Sequence, residues 1–389
     1  MSPRTLAIIG LGGRISGVAA NVLARAKDLT LVGYADPGPI GIEHLRKKGI
    51  DPGQGFADHE AMLAALKPDH VMIGSPNHLH LTHITAALQS GARIFSEKPV
   101  VITPEETWAA ADLLKRYGQE RFLVGLVLRS SPLFRAVHAA IAAGAIGRPV
   151  SMEANELLTP EHGGFIARDW RRFRKYSGSH ILEKCCHDLD LHQAVLGSRI
   201  VRAASFGGQA IFTPENRGLM DAGADEKRYR KWGDGWRDAA AADPFTSGSE
   251  VLDHQVVIAE CENGARLSFH LNNHSPFGQR RWVVCGITGA IESDFATGKV
   301  RCQAVYGESR DLLEPTKGGD GHYGADTAMA QDLVDAWFNG KPFPVPTKAA
   351  LEAGLAAMLI DRAQVEGRVA DGSAELARLD RILAASAAA

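Results

Sequence analysis

An apolar run, Leu6-Ala7-Ile8-Ile9, enters a glycine-rich turn, Gly10-Leu11-Gly12-Gly13-Arg14-Ile15-Ser16-Gly17, that opens a helical pattern, and the next apolar run closes on Tyr34-Ala35-Asp36. Strand, glycine turn, helix and acid-ended strand form the layout a dinucleotide needs. Gly10 permits a tight turn and Gly12 lets the backbone approach a pyrophosphate, while the free N–H groups of Gly13, Arg14 and Ile15 at the helix start offer an anion site. Asp36 sits where a carboxylate accepts hydrogen bonds from the ribose 2′- and 3′-hydroxyls and repels a 2′-phosphate, so NAD is expected rather than NADP. The third glycine of the usual Gly-x-Gly-x-x-Gly pattern is replaced by Ile15, between Gly13 and Gly17, which leaves the packing of that helix on the first strand open to differ.

Length and composition fit a chain of two domains. At 389 residues it exceeds the roughly 100–200 of one domain. A net charge of −2 with 23% charged residues gives no polyanion-binding surface, so no nucleic-acid partner is expected. No apolar segment approaches the roughly 20 residues that span a bilayer, and the N-terminus runs directly into the first strand, leaving no secretory signal. Five cysteines without paired spacing point to free thiols in a reducing cytoplasm.

Alternating apolar runs and helical patterns over residues 1–125 predict a doubly wound parallel sheet, with strands Leu6–Ile9, Leu29–Tyr34, His70–Gly74, Arg93–Phe95 and Phe122–Val127. Thr103-Pro104-Glu105-Glu106 combines an N-cap, a first-turn proline and a capping-box glutamate, starting a helix that runs to about Tyr117. Ligands of such a sheet gather at the carboxyl ends of the strands. Gly10–Gly13, Asp36, Ser75-Pro76-Asn77-His78 and Glu97-Lys98-Pro99 all fall there. Residues 126–389 then predict an α+β domain with a large, mostly antiparallel open sheet, signalled by Val256–Cys261, the turn Glu262-Asn263-Gly264, Ala265–Leu271, Arg281–Cys285 and Lys299–Ala304. The polar excursion Thr213–Gly248 reads either as a surface loop or as a lid or subunit contact.

A second chemical constellation lies on the helix predicted over His180–Leu196, capped by Ser177-Gly178-Ser179 and ended by Gly197. Glu183, His187 and Asp190 sit at i, i+4 and i+7, so one face carries carboxylate, imidazole and carboxylate. An imidazole held by a neighbouring carboxylate accepts a proton near neutral pH. An ordinary ion-paired histidine is the competing reading; zinc is not expected, because His192 points away from that face.

These segments resemble the glucose–fructose oxidoreductase and inositol dehydrogenase (Gfo/Idh/MocA) family over nearly the whole chain. The resemblance rests on Gly10-Leu11-Gly12-Gly13, Ala35-Asp36-Pro37, Ser75-Pro76-Asn77-His78-Leu79-His80, Glu97-Lys98-Pro99, Ile146-Gly147-Arg148-Pro149, Trp170-Arg171, the Glu183–Asp190 helix and Gly321-His322-Tyr323-Gly324-Ala325-Asp326. It implies an NAD-dependent oxidation of a secondary alcohol of a sugar, cyclitol or sugar derivative. Lys98 and His187 match the family's catalytic lysine and histidine, and Glu183 stands where an aspartate is usual and would orient His187. His187 is the expected general base, with Lys98 stabilising the developing alkoxide. Ser75, Pro76, Asn77, His80, Glu97 and Lys98 are expected around the cofactor, and Lys98, Arg129, Lys184, His187 and Asp190 around the substrate. Two other classes stay open: an enzyme holding NAD tightly through a redox-neutral reaction such as glycoside cleavage via a keto-sugar, and a non-catalytic sugar or nucleotide sensor. Retention of Lys98, His187 and Glu183 argues against the sensor. Residues 255–305 show no helix layer over their sheet, so a homodimer or homotetramer is expected to cover it.

Overall fold

The computed structural model describes residues 4–218, 243–313 and 322–384. Strands β1 (Arg4–Ile9), β2 (Leu29–Ala35), β3 (Gln54–Phe56), β4 (His70–Ile73), β5 (Arg93–Ser96) and β6 (Phe122–Val124) form a parallel sheet in the order β3-β2-β1-β4-β5-β6. Helices α1 (Gly13–Leu23), α2 (Ile42–Lys47), α3 (His59–Leu66), α4 (His80–Gln89) and α5 (Pro104–Tyr117) make the crossovers. Leu6, Ala7 and Ile8 on β1 and Val71, Met72 and Ile73 on β4 are wholly buried, as continuous apolar strands covered on both faces must be. The five expected strands are present; β3 was not foreseen, because three residues of Gln-Gly-Phe carry no periodicity. Thr103 and Glu106 form the predicted reciprocal capping box of α5.

Ile15 resolves the departure from the glycine pattern. Its side chain is buried against the end of β4, where a Cβ placed on Gly74 would lie 2.5 Å from the Cβ of Ile15. The room that a third glycine provides on the helix is provided here by a glycine on the strand.

The second sheet follows helix α6 (Pro132–Ala142), which Ser131 caps through the Phe134 amide. It comprises β7 (Pro149–Leu157), β8 (Ile200–Gly208), β9 (His254–Cys261), β10 (Arg266–Asn272), β11 (Gln279–Gly286), β12 (Gly289–Asp294), β13 (Lys299–Ala304), β14 (Ser309–Leu313) and β15 (Ala370–Asp371), in the order β14-β13-β12-β11-β7-β10-β9-β8-β15. All pairs are antiparallel except β7 with β10. Between β7 and β8 run α7 (Pro160–Arg168), α8 (Arg174–Ser177) and α9 (His180–Leu196). The chain ends in α10 (Ala325–Phe338), α11 (Thr347–Glu366) and α12 (Ser373–Ala384).

One face of this sheet is covered within the chain, by α9 against β7 and α11 against β8. The expectation of an uncovered sheet therefore holds for the opposite face alone, where Phe206, Val256 and Ile258 stand exposed and Phe206 is in register with Val256. A division at residue 125 assigns the last three helices to the second domain, but they pack back on the first: α10 on α1, and α11 and α12 on α5. Arg93 donates to the Trp337 carbonyl at 2.9 Å and the Thr347 amide to Gln119 at 2.6 Å. The centre of the Thr213–Gly248 excursion, residues 219–242, lies outside the described residues. No described helix is long and apolar enough to cross a membrane.

Candidate active site

At the carboxyl ends of the parallel strands, where the strand order reverses between β1 and β4, a cleft of about 1570 Å³ runs from Asp36 to Lys184. That exceeds the ~300–1,000 Å³ typical of one small ligand and leaves room for a dinucleotide and a second molecule.

The end near β1 and β2 has the features of an anion cradle. Gly10 adopts φ +79°, and a Cβ there would collide with the backbone of Ser75. Gly12 and Gly13 line the cleft with nothing within 4 Å of where their Cβ atoms would be. The first turn of α1 has no acidic residue and its N-cap makes no side-chain hydrogen bond, so its first amides are free for a ligand. Arg14 donates to Glu97 at 2.9 Å and pairs with Asp326, while its Nη2 is buried without a hydrogen-bond partner among the described residues. Asp36, at the end of β2, accepts the Gly38 amide at 2.6 Å; burial raises its pKa against the pull of the Gly38 and Leu11 amides. An orphaned guanidinium nitrogen, open glycines, free amides and a ribose-edge carboxylate suit the diphosphate and ribose of NAD.

Ser75 and Pro76 line the same cleft, with the Ser75 hydroxyl 2.8 Å from His83 Nδ1. Asn77 and His80 line that cleft too, and each is also engaged within the fold. The Asn77 amide donates to the Ser177 carbonyl at 3.1 Å, and the buried His80 ring sits 2.7 Å from the Pro99 carbonyl and 2.9 Å from that of Ser75. Ile15, expected beside the cofactor, is not among the residues that line the cleft, its side chain being the packing wedge described above.

The far end of the cleft lies between β5, α7 and α9. Lys98 follows β5; its Nζ donates to the Glu183 carbonyl and stands 3.6 Å from the Glu183 carboxylate. Glu183 and His187, one turn apart on α9, both face the cleft. They are nevertheless not partners. The Glu183 carboxylate accepts Arg171 Nε at 2.9 Å, and Arg171 in turn reaches Asp169 at 2.9 Å. The expected orienting role of Glu183 toward His187 is therefore corrected: Arg171 and Lys98 outcompete a neutral imidazole for the carboxylate. Burial would raise the Glu183 pKa, but Lys98 and Arg171 hold it near 2. His187 Nδ1 is buried with no partner among the described residues, and burial, followed by Lys98, His322, Arg280 and Lys184, holds its pKa well below 6.5. The ring is neutral at pH 7.

Asp190 and Arg129 depart from expectation as well. Asp190 lies about 10 Å along the helix axis from Glu183, beyond the cleft. There it accepts Arg129 Nε and Nη2 at 2.7 Å each, as a bidentate pair that does not line the site. Lys184 does line it, 3.0 Å from Glu156, which with Asp188 clamps the buried Arg280 at 2.8 Å. Glu156 and Arg280, on two strands far apart in the chain, were not foreseen, and Arg171, His322 and Asp326 lie in segments that carry the family resemblance but were not assigned to the site. The four-residue spacing of His322 and Asp326 at a helix start was the one local signal available.

Residues 4–126 match the family model described as oxidoreductase family, NAD-binding Rossmann fold, and residues 134–292 match the GFO/IDH/MocA C-terminal domain. An inositol 2-dehydrogenase of Saccharopolyspora erythraea is 24% identical over 339 residues, 87% of this chain and 79% of its own. The scyllo-inositol 2-dehydrogenase (NAD(+)) of Bacillus subtilis is 29% identical over 202 residues, 52% of this chain and 56% of its own, so the match spans about half of that relative. Levoglucosan dehydrogenase, solved with NADH and levoglucosan, superposes with a TM-score of 0.75 at 19% identity, over 95% of this chain and 99% of its own. The chain belongs to the Gfo/Idh/MocA oxidoreductases, which bind NAD on a Rossmann domain.

Proposed function

We propose that the protein oxidises a secondary alcohol of an uncharged sugar or cyclitol with NAD. The observation that carries this reading is the charge balance of the cleft. Lys98 and Arg171 share Glu183, Lys184 and Arg280 share Glu156, Arg280 also holds Asp188, and Arg14 holds Glu97 and Asp326. A phosphate or carboxylate on the substrate would have to break one of these pairs, whereas hydroxyls can bond to the remaining lone pairs and N–H groups. Phe165 and Trp170 line the same end and supply apolar surface for the C–H face of a ring. Relatives named for inositol and levoglucosan support the same class.

Bound NAD supplies the hydride acceptor. His187, neutral at working pH, accepts the hydroxyl proton, and Lys98 donates to the same oxygen as alkoxide charge develops. Glu183 fixes Lys98, and Lys184 bonds a further hydroxyl. The exposed Phe206, Val256 and Ile258 support a homodimer or dimer of dimers, and the five free cysteines fit a reducing cytoplasm. A panel of neutral sugars and polyols beside sugar acids and sugar phosphates, read by NADH absorbance, tests the reading. Turnover confined to neutral members is expected; preference for a charged member overturns it.

A further inference from the structure

We propose that His322, held by Asp326, relays the substrate's hydroxyl proton from His187 to solvent. The inference rests on the reading of His187 as base. Each oxidation transfers a hydride from the substrate carbon to NAD and a proton from its hydroxyl to His187, and that proton must leave before the next turnover. His187 is badly placed to keep or discharge it. His187 is 5% exposed, and beside burial the groups that act on it, Lys98, His322, Arg280 and Lys184, all disfavour the imidazolium.

His322 differs on each count. It precedes α10, and its Nδ1 lies 2.9 Å from Asp326 Oδ2, one turn on. A carboxylate in that position fixes the tautomer and stabilises the imidazolium. The His322 ring centroid is 6.1 Å from that of His187 at an interplanar angle of 57°, a separation that one water can bridge. Its side chain is 30% exposed. Asp326, Arg14 at 3.4 Å, Lys184 and His187 are among the groups that face it. Burial lowers the pKa of both rings, but the Asp326 hydrogen bond opposes it at His322 alone, which makes His322 the stronger base of the two. Asp326 stays ionised: burial would raise its pKa, but His322 and Arg14 hold it near 2. In the step proposed, protonated His187 gives its proton through the bridging water to the His322 nitrogen not bonded to Asp326. His322 then releases it to the medium, and one proton leaves per NADH formed.

Two measurements test the relay. Histidine ring NMR on the full-length protein should show His322 titrating at higher pH than His187, and Asp326→Asn should move the His322 midpoint down. A His187 midpoint above that of His322, or no response to Asp326→Asn, overturns the relay. In rapid mixing with myo-inositol and NAD, or with the neutral alcohol of highest turnover if myo-inositol is inert, a pH-indicator dye should follow NADH formation in the wild type. In His322→Gln, proton release should lag, kcat should fall roughly tenfold with KM and NAD affinity unchanged, and added imidazole should restore it in proportion to its concentration. Should that variant fail to fold, Asp326→Asn is read for the same lag. Loss that imidazole does not restore, or an unaltered rate without lag, overturns the relay. Near-normal kcat in His187→Ala overturns the assignment of the base instead, so the two failures are distinct.

Discussion

Removing the Asp190 carboxylate should make the protein easier to unfold while leaving substrate affinity intact. Asp190 is 1% exposed and its bidentate partner Arg129 has a side chain only 13% exposed, so neither is well solvated. Deleting one member of a buried pair leaves the other charge without compensation, at a cost of about 3–5 kcal/mol. With a urea m value of about 3 kcal/mol/M, Asp190→Asn should lower the unfolding midpoint by roughly 1–1.7 M. Replacing both members together, as Arg129→Met with Asp190→Leu, should recover most of the loss, because no buried charge is left behind. The assay is urea unfolding followed by fluorescence, beside KM for the most active alcohol. An Asp190→Asn protein with an unchanged midpoint and a KM raised tenfold or more would refute the argument and return Asp190 to the substrate.

Asp36→Ala should narrow the preference for NAD over NADP by at least tenfold, about 1.4 kcal/mol, in calorimetric titrations; equal wild-type affinities contradict the ribose-edge role. Lys98→Met and His187→Ala should each lower kcat by roughly 10²-fold with NAD binding little changed, and a variant with normal kcat removes that residue from the mechanism. Glu183 and Asp326 have pKa values near 2, below the ordinary 4.5 and 3.8, so their contribution to stability is complete above those values and is lost as pH falls toward 2. Thermal unfolding across that range should be flatter in Glu183→Gln than in the wild type, and parallel curves would contradict the assignment. Light scattering should give a dimer or tetramer at micromolar concentration, reduced to monomer by Phe206→Glu with Ile258→Glu; a monomeric wild type excludes assembly through that face.

The sheets were legible because their signals are local. Leu6–Ile9 of β1 and Val71–Ile73 of β4 are unbroken apolar runs, the capping box of α5 occupies four consecutive residues, and Gly197 ends α9 in the left-handed conformation that its position suggests. The shared face of Glu183 and His187 was legible for the same reason, since a four-residue helical spacing brings both to one side of α9. What that spacing could not reveal is competition from outside the helix. Arg171 and Lys98 arrive from other elements and take the carboxylate that periodicity offered to His187. Asp190 shows the complementary failure: its phase around the helix was right, but its height along the axis put it beyond the cleft. Ile15 seemed a defect of the glycine motif because the compensating Gly74 lies on another strand.

Arg14 and Asp326 are 312 residues apart, and their contact has a bearing on how the molecule comes into being. The first sheet can form while the ribosome is still making the second. The dinucleotide chamber is completed later, because the carboxylate of Asp326 belongs to a helix made only after β14 of the second sheet. A chain released between the two sheets would carry an Arg14 without its second carboxylate.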